Sequence, residues 1–194
     1  MKKNLMISIW FTLLTTVLLG IMYPLVVTGL ARVFFPSQAN GRLIYEGGEI
    51  VGSRLIGQPF TAPGYFYSRP SAAGSAGYDP QNSGGSNYGP TNKALIDRVE
   101  ASVQALQPTN PNAPIPADLA TTSGSGLDPD ISPAAAEFQI PRVARERGMS
   151  EQDLRALVQS PSHTEGRQFG FLGEPHVNVL KLNRDLDETH PMHK

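Results

Sequence analysis

A mixed α/β domain anchored by one N-terminal transmembrane helix is the fold class that the chain predicts, on three observations. Residues 4–31 run for 28 positions without a charged side chain. After residue 40, stretches with helical period alternate with short β-branched runs. Nineteen glycines, 17 prolines and 40% hydrophobic residues describe a packed core joined by much turn and loop. At 194 residues the chain holds one ordinary core plus an appended segment, which excludes a large multidomain enzyme.

The net charge is −1, and residues 1–35 hold Lys2, Lys3 and Arg32 with no acid, leaving −4 for the remainder. That balance lacks the basic footprint of a nucleic-acid binder. Cysteine is absent, so neither disulfides nor a thiolate metal site supports the fold.

As a helix, residues 4–31 would be about 42 Å long, enough to cross a bilayer with tilt. Tyr23 and Pro24 interrupt the run near its far end, while Trp10, Tyr23, Phe34 and Phe35 suit interfacial or helix-contact positions. Lys2 and Lys3 precede the run and Arg32 follows it, which places the N-terminus in the cytoplasm. Residues 1–35 are then a short cytoplasmic start plus the span, and 36–194 an extracytoplasmic domain with a poorly ordered C-terminal tail. Ser37, Gln38 and Ala39 have the small-residue pattern of a signal cleavage site, but the apolar run is about twice the length of a signal peptide's hydrophobic region. An anchor is the better reading. One span cannot enclose a transport path, so any transport role is that of a subunit.

Residues 50–57 and 64–67 have strand composition, and 68–92, rich in glycine, serine and proline, reads as a long loop held by contacts. Leu95, Val99, Val103 and Leu106 share a helix face, with Thr91 or Asn92 as N-cap and Lys93, Asp97 and Glu100 outward. Residues 107–116 contain four prolines and no period, and are expected to be a dispensable surface insertion. Ser132 and Pro133 open a second helix that should run to Arg147 and stop at Gly148, with a kink or split at Pro141. Ser150 with Asp153 resembles a capping box ahead of Leu154, Leu157 and Val158, and Pro161 stops that helix. Residues 177–183 read as a central strand.

Several patterns touch on chemistry without completing it. Gly84 and Gly89 have the first half of a P-loop spacing, but Pro90 stands where the phosphate-binding lysine belongs. In residues 123–132, Ser123, Ser125, Asp128 and Asp130 match neither a nucleophile elbow nor a calcium loop, and with Ser132 read as turn and cap residues. His163, His176, His190 and His193 lack zinc-site spacing, so no metal site is expected. Gln139, Arg142, Arg145 and Arg147 form the one dense polar cluster on a helix, either a solvated face with C-terminal cations or a contact for a partner or phosphate. No catalytic pair emerges. The competing class is a membrane-anchored extracytoplasmic hydrolase assembling Ser123 or Ser125, Asp128 and a histidine.

The ordered segments 23–29 (YPLVVTG), 35–41 (FPSQANG), 52–60 (GSRLIGQPF), 65–72 (YFYSRPSA), 83–87 (SGGSN), 89–92 (GPTN), 123–128 (SGSGLD) and 139–144 (QIPRVA) cover nearly the whole chain. Together they closely resemble the C subunit of the bacterial Kdp high-affinity potassium-transporting P-type ATPase. Residues 107–116 and the histidine-containing tail fit that pattern least. The resemblance implies a non-catalytic accessory subunit needed for complex assembly. Its partners would be a channel-like potassium subunit, a P-type ATPase subunit and a small peptide, besides membrane lipid. It also implies a catalytic chaperone that raises the ATP affinity of the ATPase subunit through a ternary complex, with Gln139 and Arg142 as the nucleotide-linked positions. No cofactor is bound by a recognisable motif, and ATP enters only through that complex. An extracytoplasmic domain cannot touch cytoplasmic ATP, so the effect of these residues would be indirect. A second role would be bracing the potassium entrance, with a mildly acidic surface that favours cations.

Overall fold

The structure is a computed structural model that describes residues 1–167 and 170–192. It divides into two compact units, Met1–Ser53 and Arg54–Lys194.

The first unit begins with α1 (Lys2–Thr15), which continues through a wider π-helical stretch, Thr16–Met22, into α2 (Tyr23–Phe34). This 33-residue helix is long and apolar enough to cross a membrane, with a mean hydropathy of 2.2 and no buried residue in its most apolar window. Pro24 does not break it. The proline has no N–H and its ring crowds the carbonyl four residues back, at Gly20, so the disturbance lies on the N-terminal side. There the Tyr23 N–H bonds to the Leu18 carbonyl, one residue further back than in an α-helix. A single turn, α3 (Pro36–Ala39), leads to an antiparallel hairpin of β1 (Leu43–Glu46) and β2 (Glu49–Ser53). Its two-residue turn has Gly47 at φ 58° and Gly48 at φ 90°, the left-handed pair that matches strand twist and favours glycine. The strand expected over 50–57 is therefore confined to β2, and its partner β1 was not foreseen.

The second unit contains α4 (Lys93–Leu106), α5 (Ala117–Ala120), β3 (Asp130–Ile131), α6 (Pro133–Arg147), α7 (Glu151–Gln159), β4 (Thr164–Glu165), β5 (His176–Asn178) and α8 (Val179–Thr189). The short antiparallel sheet has the order β3-β5-β4, with Ile131 and Thr164 both paired to Val177. Mixed helix and sheet is thus the observed class. The core gathers around α6: Ala135, Ile140 and Val143 are fully buried, as are Phe66, Leu154, Val177, Leu182 and Leu186.

The expected caps form. Asn92 accepts from the Ala94 N–H at 2.8 Å and Ser132 from the Ala135 N–H at 3.0 Å, while Gly148 closes α6 in the left-handed conformation at φ 65°. Ser150 caps α7, but the Asp153 carboxylate accepts from the Ser150 hydroxyl at 2.6 Å instead of returning to a backbone amide. Helix α6 passes through Pro141 without splitting.

Three expectations need correction. The central strand over 177–183 is strand only to Asn178, whose side chain accepts from the Lys181 N–H at 3.1 Å and starts α8. The apolar positions Val179, Leu182 and Leu186 have helical spacing, which outweighs the β-branched run ahead of them. Residues 64–67 are extended but belong to no sheet. Residues 107–116 are not a detached insertion, because Asn110 Nδ2 donates to the Phe138 carbonyl at 3.1 Å, and Ala113 and Ile115 pack on the core.

Candidate functional site

The extended segment 63–67 is held by side chains where a sheet would supply backbone. Fully buried Phe66 donates its N–H to Asn183 Oδ1 at 2.8 Å and accepts from Asn183 Nδ2 at 2.9 Å, the pattern of a β-bridge made by one amide side chain on α8. Gln139 on α6 repeats this at the next residue. The Tyr67 N–H donates to Gln139 Oε1 at 2.7 Å, and Gln139 Nε2 donates to the Tyr67 carbonyl at 3.2 Å. One α-helical turn away, Arg142 Nη1 donates to the Pro63 and Tyr65 carbonyls at 2.5 and 2.8 Å, and its Nη2 to Gln139 Oε1 at 2.6 Å. Arg147 Nε takes the Gly64 carbonyl at 2.7 Å.

Gln139 is 1% exposed and Arg142 3%. Both Gln139 donors are used, the second by the Ala135 carbonyl at 3.2 Å, and Oε1 accepts twice, so no polar valence remains for a ligand. Burial lowers the Arg142 pKa, opposed by Tyr67 and Glu146. Its charge rests on carbonyl dipoles and on the Tyr67 ring, whose centroid lies 3.8 Å from the guanidinium carbon. The Arg142 Nε is buried without a hydrogen-bond partner. Arg147 Nη2 pairs with Asp187 at 2.9 Å, and Tyr65 donates its hydroxyl to the other Asp187 oxygen at 2.9 Å. Burial first, and then Asp187, raise the Tyr65 pKa.

Of the polar cluster expected on this helix, Gln139, Arg142 and Arg147 therefore face inward as a clamp, while Arg145 stays exposed. Asn183, Asp187 and Tyr65 belong to the same network and were not anticipated. Asn183 was hidden by reading its segment as a strand, although its place between Leu182 and Leu186 marks the buried face of a helix.

The other chemistry candidates have structural partners. Ser123 Oγ accepts from the Gly126 N–H at 2.9 Å and Ser125 Oγ from the Leu127 N–H at 3.1 Å, while Asp128 pairs with Arg69 at 3.1 Å. These turns bind the long 68–92 loop: Ser71 Oγ donates to the Gly126 carbonyl at 2.6 Å, and the Gly84 N–H to the Ser125 carbonyl at 2.8 Å. Gly84 is thus occupied, and the first amides of α4 are capped by Asn92. Buried His163 bonds through Nε2 to Asp185 at 2.9 Å and through Nδ1 to Ser160 and Ser162, each at 3.0 Å. Among the described residues no hydrogen bond joins Ser123, Ser125 or Asp128 to a histidine, and the hydrolase constellation is not assembled. His176 Nε2 lies 3.6 Å from Glu165 and 3.8 Å from Asp130, and His190 Nδ1 contacts Thr189. His193 lies outside the described residues. Among those described, no group of three or more His, Cys, Asp or Glu side chains is placed to hold a metal ion.

Known proteins similar to this chain match it across the segments joined by these bonds. The family model described as "KdpC: K+-transporting ATPase, c chain" matches residues 5–188. The chain is 65% identical over 192 residues to the potassium-transporting ATPase KdpC subunit of Koribacter versatilis (strain Ellin345), covering 99% of this chain and 98% of that one. The KdpC subunit of Rhodopseudomonas palustris (strain BisB18) is 54% identical over 198 residues, covering 96% and 98%. That of Caulobacter vibrioides (strain NA1000 / CB15N) is 57% identical over 179 residues, covering 92% and 89%. With near-complete coverage at more than half identity, the chain belongs to the KdpC family, the c chain of the K+-transporting ATPase, and its role in potassium transport is that of an accessory subunit.

Proposed function

We propose that the chain is a non-catalytic, single-pass subunit of a bacterial high-affinity potassium uptake ATPase, needed for assembly, that raises the ATP affinity of the ATPase subunit without touching nucleotide. The helix Lys2–Phe34 is the anchor, with Lys2 and Lys3 on the cytoplasmic side and Arg54–Lys194 outside the inner membrane. Its partners are a channel-like potassium subunit, a P-type ATPase subunit and a small peptide subunit. The family match carries the subunit role, and the saturation of Gln139 carries the indirect mechanism: a buried amide with two donors and two acceptor bonds committed to protein has nothing left for ATP. Gln139 and Arg142 act by holding residues 63–67, and any effect on ATP affinity reaches the ATPase subunit as a coupling free energy through the complex.

The test is an ATPase titration of the complex purified in mild detergent with and without this subunit, together with photolabelling by an azido-ATP analogue. The KM for ATP should rise when the subunit is missing, and label should appear on the ATPase subunit alone. Label on this chain would overturn the indirect mechanism, and an unchanged KM would overturn the chaperone role. Orientation is testable because the chain has no cysteine: Glu100→Cys in exposed α4 should react with an impermeant maleimide added to intact spheroplasts.

A further inference from the structure

The hairpin β1–β2 carries apolar side chains that the fold leaves uncovered. Leu43, Tyr45 and Ile50 are 41%, 59% and 58% exposed, and Tyr45 and Ile50 are direct cross-strand partners. An isolated two-stranded hairpin is marginal in water and needs an apolar surface to lie against. From its position and chemistry we infer that this hairpin rests on the lipid headgroup layer, with anionic lipid phosphates held by Arg32 and Arg42. The inference depends on the single-span reading given above.

Continuity with the span identifies the occupant. Only residues 35–42 separate the end of α2 from β1, and they are folded back on themselves. The Ala39 N–H bonds to the Phe35 carbonyl at 2.9 Å, the Arg42 N–H to the Ser37 carbonyl at 2.9 Å, and Ser53 Oγ to the Gly41 carbonyl at 2.6 Å. The hairpin base is thereby tied to the end of the apolar helix, where the interfacial layer of a bilayer is about 5–8 Å deep. Charge supports the same placement. No acid occurs before Glu46, whereas Arg32 and Arg42 bracket the connection, so the base of the hairpin is cationic. Glu46 and Glu49 flank the turn at the opposite end and keep the tip in water. Tyr45 has the apolar body and polar end that favour the interface.

The absence of native cysteine allows a direct measurement on the full-length chain. Ile50→Cys, Leu43→Cys and, as a span reference, Val26→Cys are spin-labelled and reconstituted in phosphatidylethanolamine/phosphatidylglycerol vesicles, and collision rates with oxygen and a water-soluble nickel chelate are compared. Labels at 50 and 43 should be several-fold richer in oxygen relative to nickel than a free label in water, and intermediate between water and position 26. A lipid-like signal at 26 with nickel-accessible labels at both 50 and 43 would overturn the hairpin proposal alone. Low access to both reagents at 50 and 43 would mean protein cover and would overturn it equally. Nickel access at 26 would remove the anchor on which the proposal rests.

Discussion

At residue scale the governing fact is that buried amides and guanidinia substitute for a neighbouring strand. A buried backbone group left unpaired costs about 1–3 kcal/mol. Gln139→Ala strips partners from the Tyr67 N–H and carbonyl and from Arg142, so we expect a loss of about 2–4 kcal/mol in denaturant unfolding of the full-length chain in mild detergent. A change within experimental error would show that the clamp carries no stability. Asp130 gives a pH prediction. Burial raises its pKa, opposed by the Asn178 hydrogen bond and His176, with Asp128 and Glu165 adding to the rise. A raised carboxyl pKa means that the fold favours the protonated form. That contribution is fully present below the ordinary carboxylate range and is lost as pH rises through the raised value. Asp130→Asn should therefore stabilise the protein at pH 7, with the difference from wild type closing as pH falls below that range, as measured by thermal unfolding across pH. Greater relative stability of the variant at acidic pH would contradict the assignment.

At the scale of elements, short caps and close approaches decide where each segment ends. Asn178 is the last residue of β5 and the N-cap of α8, and its Nδ2 also donates to the Arg54 carbonyl at 3.1 Å and to Asp130 Oδ1 at 2.8 Å. Asn178→Ala should cost about 1–2 kcal/mol, the upper end for a lost cap, and should reduce helical circular dichroism if α8 frays. Gly126 is fixed by close packing. Its φ is +67°, and an added Cβ would sit 2.7 Å from both Ala73 N and the Gly84 carbonyl oxygen. Gly126→Ala should cost at least the roughly 1–3 kcal/mol of a strained backbone position, read as a lower denaturation midpoint and earlier proteolysis within 68–92. The caps of α4, α6 and α7 were legible because capping is local chemistry. The start of α8 was not, since Val177 in β5 and Val179 at the head of α8 are β-branched and suit either a strand or a buried helix face.

For the whole molecule, the long apolar helix and the mixed helix-and-sheet unit differ in the surface they present. An apolar helix, Lys2–Phe34, with no buried residue in its most apolar window is a defect in water and suited to lipid. Residues 107–116 read in sequence as an insertion, yet Ala113 and Ile115 pack on the core and Asn110 bonds to α6. Replacing 107–116 by a short Gly/Ser linker should lower the melting temperature by several degrees; an unchanged value would return the segment to the status of a dispensable insertion. Reversing exposed acids such as Asp97 and Glu100 should alter potassium affinity only at low ionic strength if surface charge steers cations, because about 10 Å of screening at 0.1 M salt removes such an effect.

The sequence by itself determined the long apolar helix, the mixed helix-and-sheet class, most helix caps, the long contact-held loop and the family, since all depend on local pattern or on contiguous motifs. It marked Gln139 and Arg142 without saying which way they point. Only tertiary structure decided that they face inward, because their partners lie 72 to 79 residues away in sequence, at Pro63, Tyr65 and Tyr67. A polar side chain on a helix reads as solvated until the fold brings an extended segment with unpaired backbone groups against it. Burial of those groups then makes the amide and the guanidinium part of the core.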